Sequence, residues 1–263
     1  MAALALAVVA VGCSAGQEGR QDRHHGPYDV DPSGRERVLT IHAYGGMTAA
    51  NYQWAPREAQ FLLYGDGRVL QSCTRDESSP SLLPCLSETH VSPDEIQLIV
   101  AAADKAGLMS DREFDDYLVT DADTTVFDLT VGGSTHRVQA YGLFPDYPSS
   151  NLGVKVARMK LIAFSNSMTD LGGFLGRKLE TQPYAATSLQ VRCDRVEALG
   201  MGGGPLRAWP LAKIPGDGGD ALTLTGDDMA SFVASAGGAT VFTVWTVPGG
   251  YCRLSAHPLL PDE

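Results

Sequence analysis

An apolar run at the N-terminus constrains this chain most, because it decides the compartment in which the chain folds. Residues 2–11 read AALALAVVAV and include no charged side chain. The run is shorter than the about 20 residues of a transmembrane helix, but it matches the roughly 7–15 residues at the centre of a secretory signal. The sequence therefore predicts export, with residues 1–12 as the signal peptide.

The residues that end this run, Gly12-Cys13-Ser14, resemble the lipobox of bacterial lipoproteins. In such proteins the signal is removed before the cysteine, and the thiol receives a diacylglyceryl group. The resemblance implies that Cys13 is lipidated, so that the protein is lipid-anchored at the cell membrane and faces the extracytoplasmic side. A buried helix that ends in Gly-Cys is the alternative interpretation.

The segment that begins at Cys13 is polar, and the chain as a whole is negatively charged. Residues 13–37 contain few apolar side chains and are typical of a flexible tether. The formal net charge of −11 argues against nucleic acid and against anionic lipid as partners, because both attract basic surfaces. Attachment to the bilayer would therefore depend on the acyl chains of Cys13.

The cysteines fit an exported protein. Five are present, and lipidation of Cys13 would leave four to pair in an oxidising compartment. We favour Cys73 with Cys85, which bracket a Ser/Pro-rich loop, and Cys193 with Cys252, which lie in separate strand-like runs. A zinc site is the alternative, but there is no Cys-x-x-Cys and no His at ligand spacing from the four.

Short strands in consecutive pairs account for most of the chain. Three β-hairpins are predicted, over residues 61–71, 126–143 and 240–259, each turning at glycines that supply a positive φ. Ser92-Pro93-Asp94-Glu95 predicts a helix start with a capping box, and Gly107 predicts its end.

A second, longer helix is predicted over residues 151–171. Its apolar face would be Leu152, Val156, Met159, Ile162 and Phe164, and its polar face Lys155, Arg158 and Lys160. Hairpins with inserted helices predict an α+β fold, with a mainly antiparallel sheet packed against two principal helices. We expect an N-terminal part over 38–175 and a C-terminal part over 187–263, as two units or one continuous domain.

Three segments carry a resemblance to a known group of proteins. Residues 61–71, the run TDADTT at 120–125 before the strand with 141–143, and the ending HPLLPDE at 257–263 are similar to uncharacterised extracytoplasmic lipoproteins of high-GC Gram-positive bacteria. The resemblance covers most of the chain after residue 38. It implies no activity, catalytic residue or cofactor.

Aromatic residues in Pro-containing loops are the binding candidates: Tyr52, Trp54, Tyr147 and Trp209. Exposed Trp and Tyr favour interfaces, although such residues can also fold back on the core. We therefore expect a binding or assembly protein that contacts an envelope protein partner. An enzyme is the less favoured hypothesis, since the chain shows no activated nucleophile, metal cage or cofactor loop.

Other functions stay open. An envelope-acting hydrolase could use Ser134 and His136, although both follow a Gly-Gly turn and the chain lacks Gly-x-Ser-x-Gly. A calcium-binding lipoprotein could use Asp121 and Asp123, which offer two carboxylates from one loop. The twelve-residue calcium loop with its terminal Glu is missing there. A solute-binding lipoprotein is a further alternative, although the chain lacks the repeated strand-helix-strand units of two-lobed receptors.

Overall fold

The computed structural model describes residues 26–33, 36–45, 60–73, 81–115, 119–196, 205–216 and 220–263. Cys13, Tyr52, Trp54 and residues 1–12 lie outside these ranges, so the expectations for them stay predictions. Within these ranges the chain forms two β-sheets and four helices. The α+β class, with sheet as the main component, is therefore confirmed.

The first sheet has eight strands in the part of the chain that the structure describes. They are β1 (Arg37–Gly45), β2 (Phe61–Tyr64), β3 (Arg68–Ser72), β4 (Leu86–His90), β5 (Arg112–Phe114), β6 (Asp123–Val131), β7 (Ser134–Tyr141) and β8 (Gln182–Pro183). They lie in the order β5-β7-β6-β1-β2-β3-β4-β8. The sheet is mixed, because β5 runs parallel to β7 while the other neighbours are antiparallel.

The second sheet has five strands among the described residues. They are β9 (Ser188–Val196), β10 (Leu206–Ala208), β11 (Leu222–Thr225), β12 (Val244–Val247) and β13 (Gly250–Pro258), in the order β10-β12-β13-β9-β11. This sheet is also mixed, since β10 runs parallel to β12. Its long central pair, β9 and β13, joins the start of the C-terminal part to the end of the chain.

Four helices accompany the sheets in the described ranges. They are α1 (Pro93–Ala106), α2 (Leu152–Thr169), α3 (Leu171–Leu175) and α4 (Gly226–Ala236). The predicted ends of α1 are confirmed: the Ser92 side chain accepts from the backbone of Glu95, the Glu95 side chain accepts from the backbone of Ser92, and Gly107 has a left-handed φ of 94°. Backbone groups that a helix start and end leave unpaired are satisfied in this way.

The first core lies between one face of the first sheet and the helices α1, α2 and α3. Alternate strand residues such as Leu39, Ile41 and Leu63 point into it. The helices contribute a matching apolar set: Ile96, Ile99, Val100, Ala103, Leu161, Phe164, Met168 and Leu171. Because one sheet face is filled in this way, the polar residues between those positions must point to the opposite face.

Helix α2 forms where predicted, and Phe164 is buried and Lys155 and Lys160 are exposed as expected, but the rest of its buried face differs from the prediction. Arg158, placed on the predicted polar face, is only 2% exposed, whereas Leu152 is 74% exposed and Val156 and Met159 are each about half exposed. Arg158 lies over the Tyr147 ring, with its Cζ 3.8 Å from the ring centroid, and donates to the carbonyl oxygen of Gly142. These contacts stabilise the buried guanidinium through its Nη2 and its planar face, while Leu152, Val156 and Met159 point outwards.

The second core lies against the second sheet and contains a disulfide. Trp209, Phe232 and Trp245 pack with ring centroids 5.4–6.4 Å apart. Next to them the Cys193–Cys252 disulfide joins β9 to β13. The Cys73–Cys85 disulfide closes the loop before β4, so both predicted pairings are confirmed.

Contacts between residues far apart in the sequence hold these regions together. Leu82, from the loop before β4, packs in the second core and donates its N–H to Ala239. The C-terminal segment, residues 259–263, runs back to the first sheet, where Leu260 packs on Leu62, Tyr64 and Leu70. Residues 26–33, within the predicted tether, pack on α1, where the Gln97 side chain bonds both the N–H and the C=O of Tyr28.

Candidate functional site

The candidate site lies on the open face of the first sheet, which is the face opposite α1 and α2. One row of cross-strand neighbours runs over it, from Arg137 on β7 to Asp128 on β6, Thr40 on β1 and Leu62 on β2. Strand alternation explains this row, because Asp128, Thr40 and Leu62 each sit between two residues of the first core and Arg137 precedes the core residue Val138. His42, two residues beyond Thr40, shares the same face.

A cleft of about 490 Å³ opens between this face and the end of the chain. Small-molecule sites typically measure about 300–1,000 Å³ and combine an apolar lining with a few polar groups. The first sheet contributes Arg37, Thr40, His42, Leu62, Leu86, Asp128, Thr130, Thr135 and Arg137, and the facing wall contributes His257, Pro258, Leu260 and Glu263. The cleft thus joins residues from both ends of the described chain.

The facing wall is fastened to the sheet by charged and polar contacts. Arg37 Nε lies 2.7 Å from Asp262 Oδ2, and Arg37 Nη2 lies 3.1 Å from Glu263 Oε1. The Tyr64 hydroxyl donates to Asp262 Oδ1 at 2.9 Å, and the Tyr184 hydroxyl donates to the carbonyl of residue 259 at 3.0 Å. Burial, followed by the bond to Asp262, raises the pKa of Tyr64, so this phenol stays a donor.

The other charged pair of the cleft is bidentate. Arg137 donates from Nε to Asp128 Oδ1 at 2.7 Å and from Nη2 to Asp128 Oδ2 at 3.0 Å. Such fork-shaped pairing is the strongest geometry available to an arginine and a carboxylate. The hydrogen bond to Asp128 raises the pKa of Arg137, so this guanidinium keeps its charge.

Two half-buried imidazoles complete the polar lining. Burial is the main cause that lowers the pKa of both His42 and His257 below the usual 6.5. At neutral pH each ring is therefore uncharged and offers one N–H donor and one nitrogen acceptor. Among the described residues, neither ring has a hydrogen-bond partner, so both remain open to a ligand.

The hydroxyls of the cleft are not paired with these imidazoles among the described residues. Thr130 Oγ1 and Thr135 Oγ1 bond to each other at 2.9 Å across β6 and β7. Nucleophilic catalysis needs a base within about 2.6–3.2 Å of the nucleophile. In its present geometry the cleft can donate and accept hydrogen bonds and cover apolar surface, which is the chemistry of binding.

The loop aromatics that the structure describes, Tyr147 and Trp209, are buried, which is the second of the two arrangements that the sequence left open. Tyr147 is 4% exposed beneath Arg158, and Trp209 is 9% exposed, with its Nε1 donating to the carbonyl of Lys213. Both side chains fold back on a core, because contact with a cation or with other rings stabilises an aromatic ring more than contact with water does. Neither offers a surface to a partner in this arrangement.

The acidic candidates lie apart from the cleft. Asp121 is exposed with a φ of 58°, and Asp123 is exposed at the start of β6. Ser134 is exposed at the β6–β7 turn, and His136 lies near Asp111, with 4.0 Å between Nδ1 and Oδ1. Across the described ranges, no group of three or more His, Cys, Asp or Glu side chains is placed to hold a metal ion.

Sequence reasoning missed the residues of the cleft. It assigned no role to Thr40, His42, Asp128, Arg137 or His257. A signal for the open face was present, because Thr40 and His42 alternate with Leu39 and Ile41 along one strand. The facing wall has no such signal, since its contacts join Arg37 to residues 225 positions away.

A second groove of about 530 Å³ lies beside β8, and the described residues that line it are all polar or charged. Its Arg177 is already held by Glu95, so we regard the first cleft as the better site.

Comparisons with protein families, with curated proteins and with solved structures found no match to this chain. Among the residues described, no helix is long and apolar enough to cross a membrane.

Proposed function

We propose that this protein is an extracytoplasmic binding lipoprotein, tethered to the cell membrane through Cys13, that takes a ligand into the cleft on the open face. The observation that carries the proposal is the pair of uncharged imidazoles, His42 and His257, which line one cleft together with apolar side chains. Convergent polar groups in a partly apolar cleft are typical of binding sites. The predicted envelope protein partner remains part of the proposal through Tyr52 and Trp54.

The disulfides support the compartment in this proposal. Bonds such as Cys73–Cys85 and Cys193–Cys252 form and persist in oxidising surroundings and are rare in a reducing cytosol. Changing Cys13 to Ser should move the protein from the membrane fraction to the soluble fraction, or stall its processing. An unmodified Cys13 in the intact mass of the membrane-bound protein would overturn the lipid-anchor part.

The binding part can be tested with an uncharged dye, Nile red, whose fluorescence rises in apolar surroundings. We expect the dye to bind the wild-type chain and Thr130→Trp to abolish binding, because the indole would fill the cleft from β6. Thr124→Trp is the matched control, since residue 124 lies on the same strand and face but does not line the cleft. Equal dye binding by all three proteins would overturn the cleft as the binding site.

A further inference from the structure

We propose that the ligand of the cleft is an uncharged amphiphile, with hydroxyl or carbonyl groups at one end and an apolar body at the other. This proposal rests on the binding function proposed above and names the class of ligand. It is carried by the distribution of polarity and by the pairing of charges among the residues that line the cleft.

Polarity changes across the strand order. Thr130, Thr135 and the Arg137–Asp128 pair occupy β6 and β7 at one end of the cleft. At the other end, Leu62 on β2 and Leu86 on β4 line the cleft, and Leu260 packs over Leu62. Three strand spacings separate β7 from β2, or about 14 Å at 4.8 Å per spacing. A ligand that spans this distance meets hydrogen-bonding groups at one end and apolar surface at the other.

Every charge among the described residues that line the cleft already has a partner of opposite sign. Both oxygens of Asp128 accept from Arg137. Of the Glu263 oxygens, Oε1 lies 3.1 Å from Arg37 Nη2 and Oε2 accepts from the backbone N–H of residue 260. A cationic ligand therefore finds no carboxylate oxygen without a partner in this lining, and an anionic ligand must compete with an internal carboxylate for either arginine.

Bringing an unpaired charge into such a cleft is unfavourable, because its desolvation is not compensated. An uncharged ligand avoids this penalty. The groups that remain for it include the hydroxyls of the cleft and the imidazoles of His42 and His257, each imidazole with one donor and one acceptor at neutral pH. Hydroxyl and carbonyl groups complement both.

The class can be tested with three probes that share an octyl chain and differ in the head group: octyl glucoside, octanoate and octylamine. Each competes with Nile red on the wild-type protein at pH 7.5, below the concentration at which any probe forms micelles. We expect octyl glucoside to displace the dye at a concentration at least about tenfold lower than either ion, since an unfavourable difference of about 1.4 kcal/mol corresponds to that factor.

The outcomes separate the two proposals. Displacement by octanoate or octylamine at an equal or lower concentration would overturn the uncharged class, while loss of dye binding in Thr130→Trp would still support the cleft as a binding site. Dye binding that Thr130→Trp leaves intact would overturn the site itself. Preferential displacement by octyl glucoside, with Thr124→Trp behaving as wild type, supports both.

Discussion

His42 and His257 face one cleft from different sheets and are uncharged at neutral pH for the same reason, which is burial. Around His42, Asp128 raises the pKa, while Arg137 and Arg37 lower it after burial has acted. Around His257, Glu263 raises the pKa and Arg192 lowers it. In both cases the lowering effects prevail, so acidification places positive charge on groups that the fold keeps neutral.

This lowering predicts a pH-dependent stability. Because both folded pKa values lie below 6.5, the unfolded chain takes up protons first on acidification, and the free energy of unfolding should fall as the pH drops below about 6.5. Urea denaturation at pH 7.5 and pH 5.5 should show a smaller decrease for the double variant His42→Asn, His257→Asn than for wild type. The exposed His90→Asn should keep the wild-type decrease. An unchanged decrease in the double variant would contradict this account.

Arg158 is the buried cation that fixes α2 against the loop after β7. It donates to the carbonyl oxygens of Tyr141 and Gly142 while its guanidinium lies on the Tyr147 ring. A Cβ on Gly142 would lie 2.8 Å from Tyr147 Cε2, so a glycine is needed where the ring approaches the backbone.

Replacing Arg158 by Met should lower the free energy of unfolding by about 2–3 kcal/mol, because Met keeps much of the apolar contact but removes a charged donor from two carbonyls. Lys155→Met, an exposed change on the same helix, should stay within about 0.5 kcal/mol. Urea denaturation measures both. A loss below about 0.5 kcal/mol for Arg158→Met would show that its contacts add nothing to stability.

At the scale of elements, the two faces of α2 predict opposite responses to mutation. Leu152→Gln and Met159→Gln should each change the free energy of unfolding by less than about 0.5 kcal/mol, since both side chains are exposed. Leu161→Ala should reduce it by about 2–5 kcal/mol, because it leaves a cavity in the first core. A loss above about 2 kcal/mol for Leu152→Gln would mean that the sequence-predicted face is the buried one.

The helices show how far local patterns determine structure. The ends of α1 are predictable because Ser92, Pro93, Glu95 and Gly107 each act within one turn of the helix. The extent of α2 is nearly predictable, but its orientation is not. Residues on both sides of the helix recur at helical spacing, and the loop near Tyr141, 17 positions from Arg158, decides which side is buried.

At the scale of the whole molecule, the disulfides should contribute unequally. The Cys193–Cys252 bond closes 59 residues and the Cys73–Cys85 bond closes 12, and loop-closure entropy favours the longer span. Replacing Cys193 and Cys252 by Ala should lower the free energy of unfolding by about 4 kcal/mol, and replacing Cys73 and Cys85 should lower it by about 3 kcal/mol. Urea denaturation of both variants under identical conditions gives the order. A larger loss for the shorter loop would show that local contacts outweigh the entropy.

The same scale explains why the cleft could not be predicted. Its floor depends on β1 lying between β2 and β6, and its wall depends on the second sheet returning the chain to Arg37. Cysteine parity predicted two disulfides without any geometry, and the loop and strand-like runs that carry the cysteines indicated the pairing. No parity or periodicity brings His257 towards His42, since that approach follows only from how the two sheets pack.

The contact between Arg37 and residues 262–263 places the beginning of β1 beside the C-terminal segment. Nearby ends usually allow the backbone to be joined and reopened elsewhere. A circular permutant that links residue 263 to residue 36 and opens at the exposed Gly132-Gly133 turn should keep a cooperative unfolding transition and its affinity for Nile red, with a lower free energy of unfolding because it lacks residues 26–33, which pack on α1. Conversely, a bulky tag fused directly after Glu263 would begin at the wall of the cleft, whereas the link of the permutant returns at once to the neighbouring strand β1. Only the tag should therefore weaken dye binding.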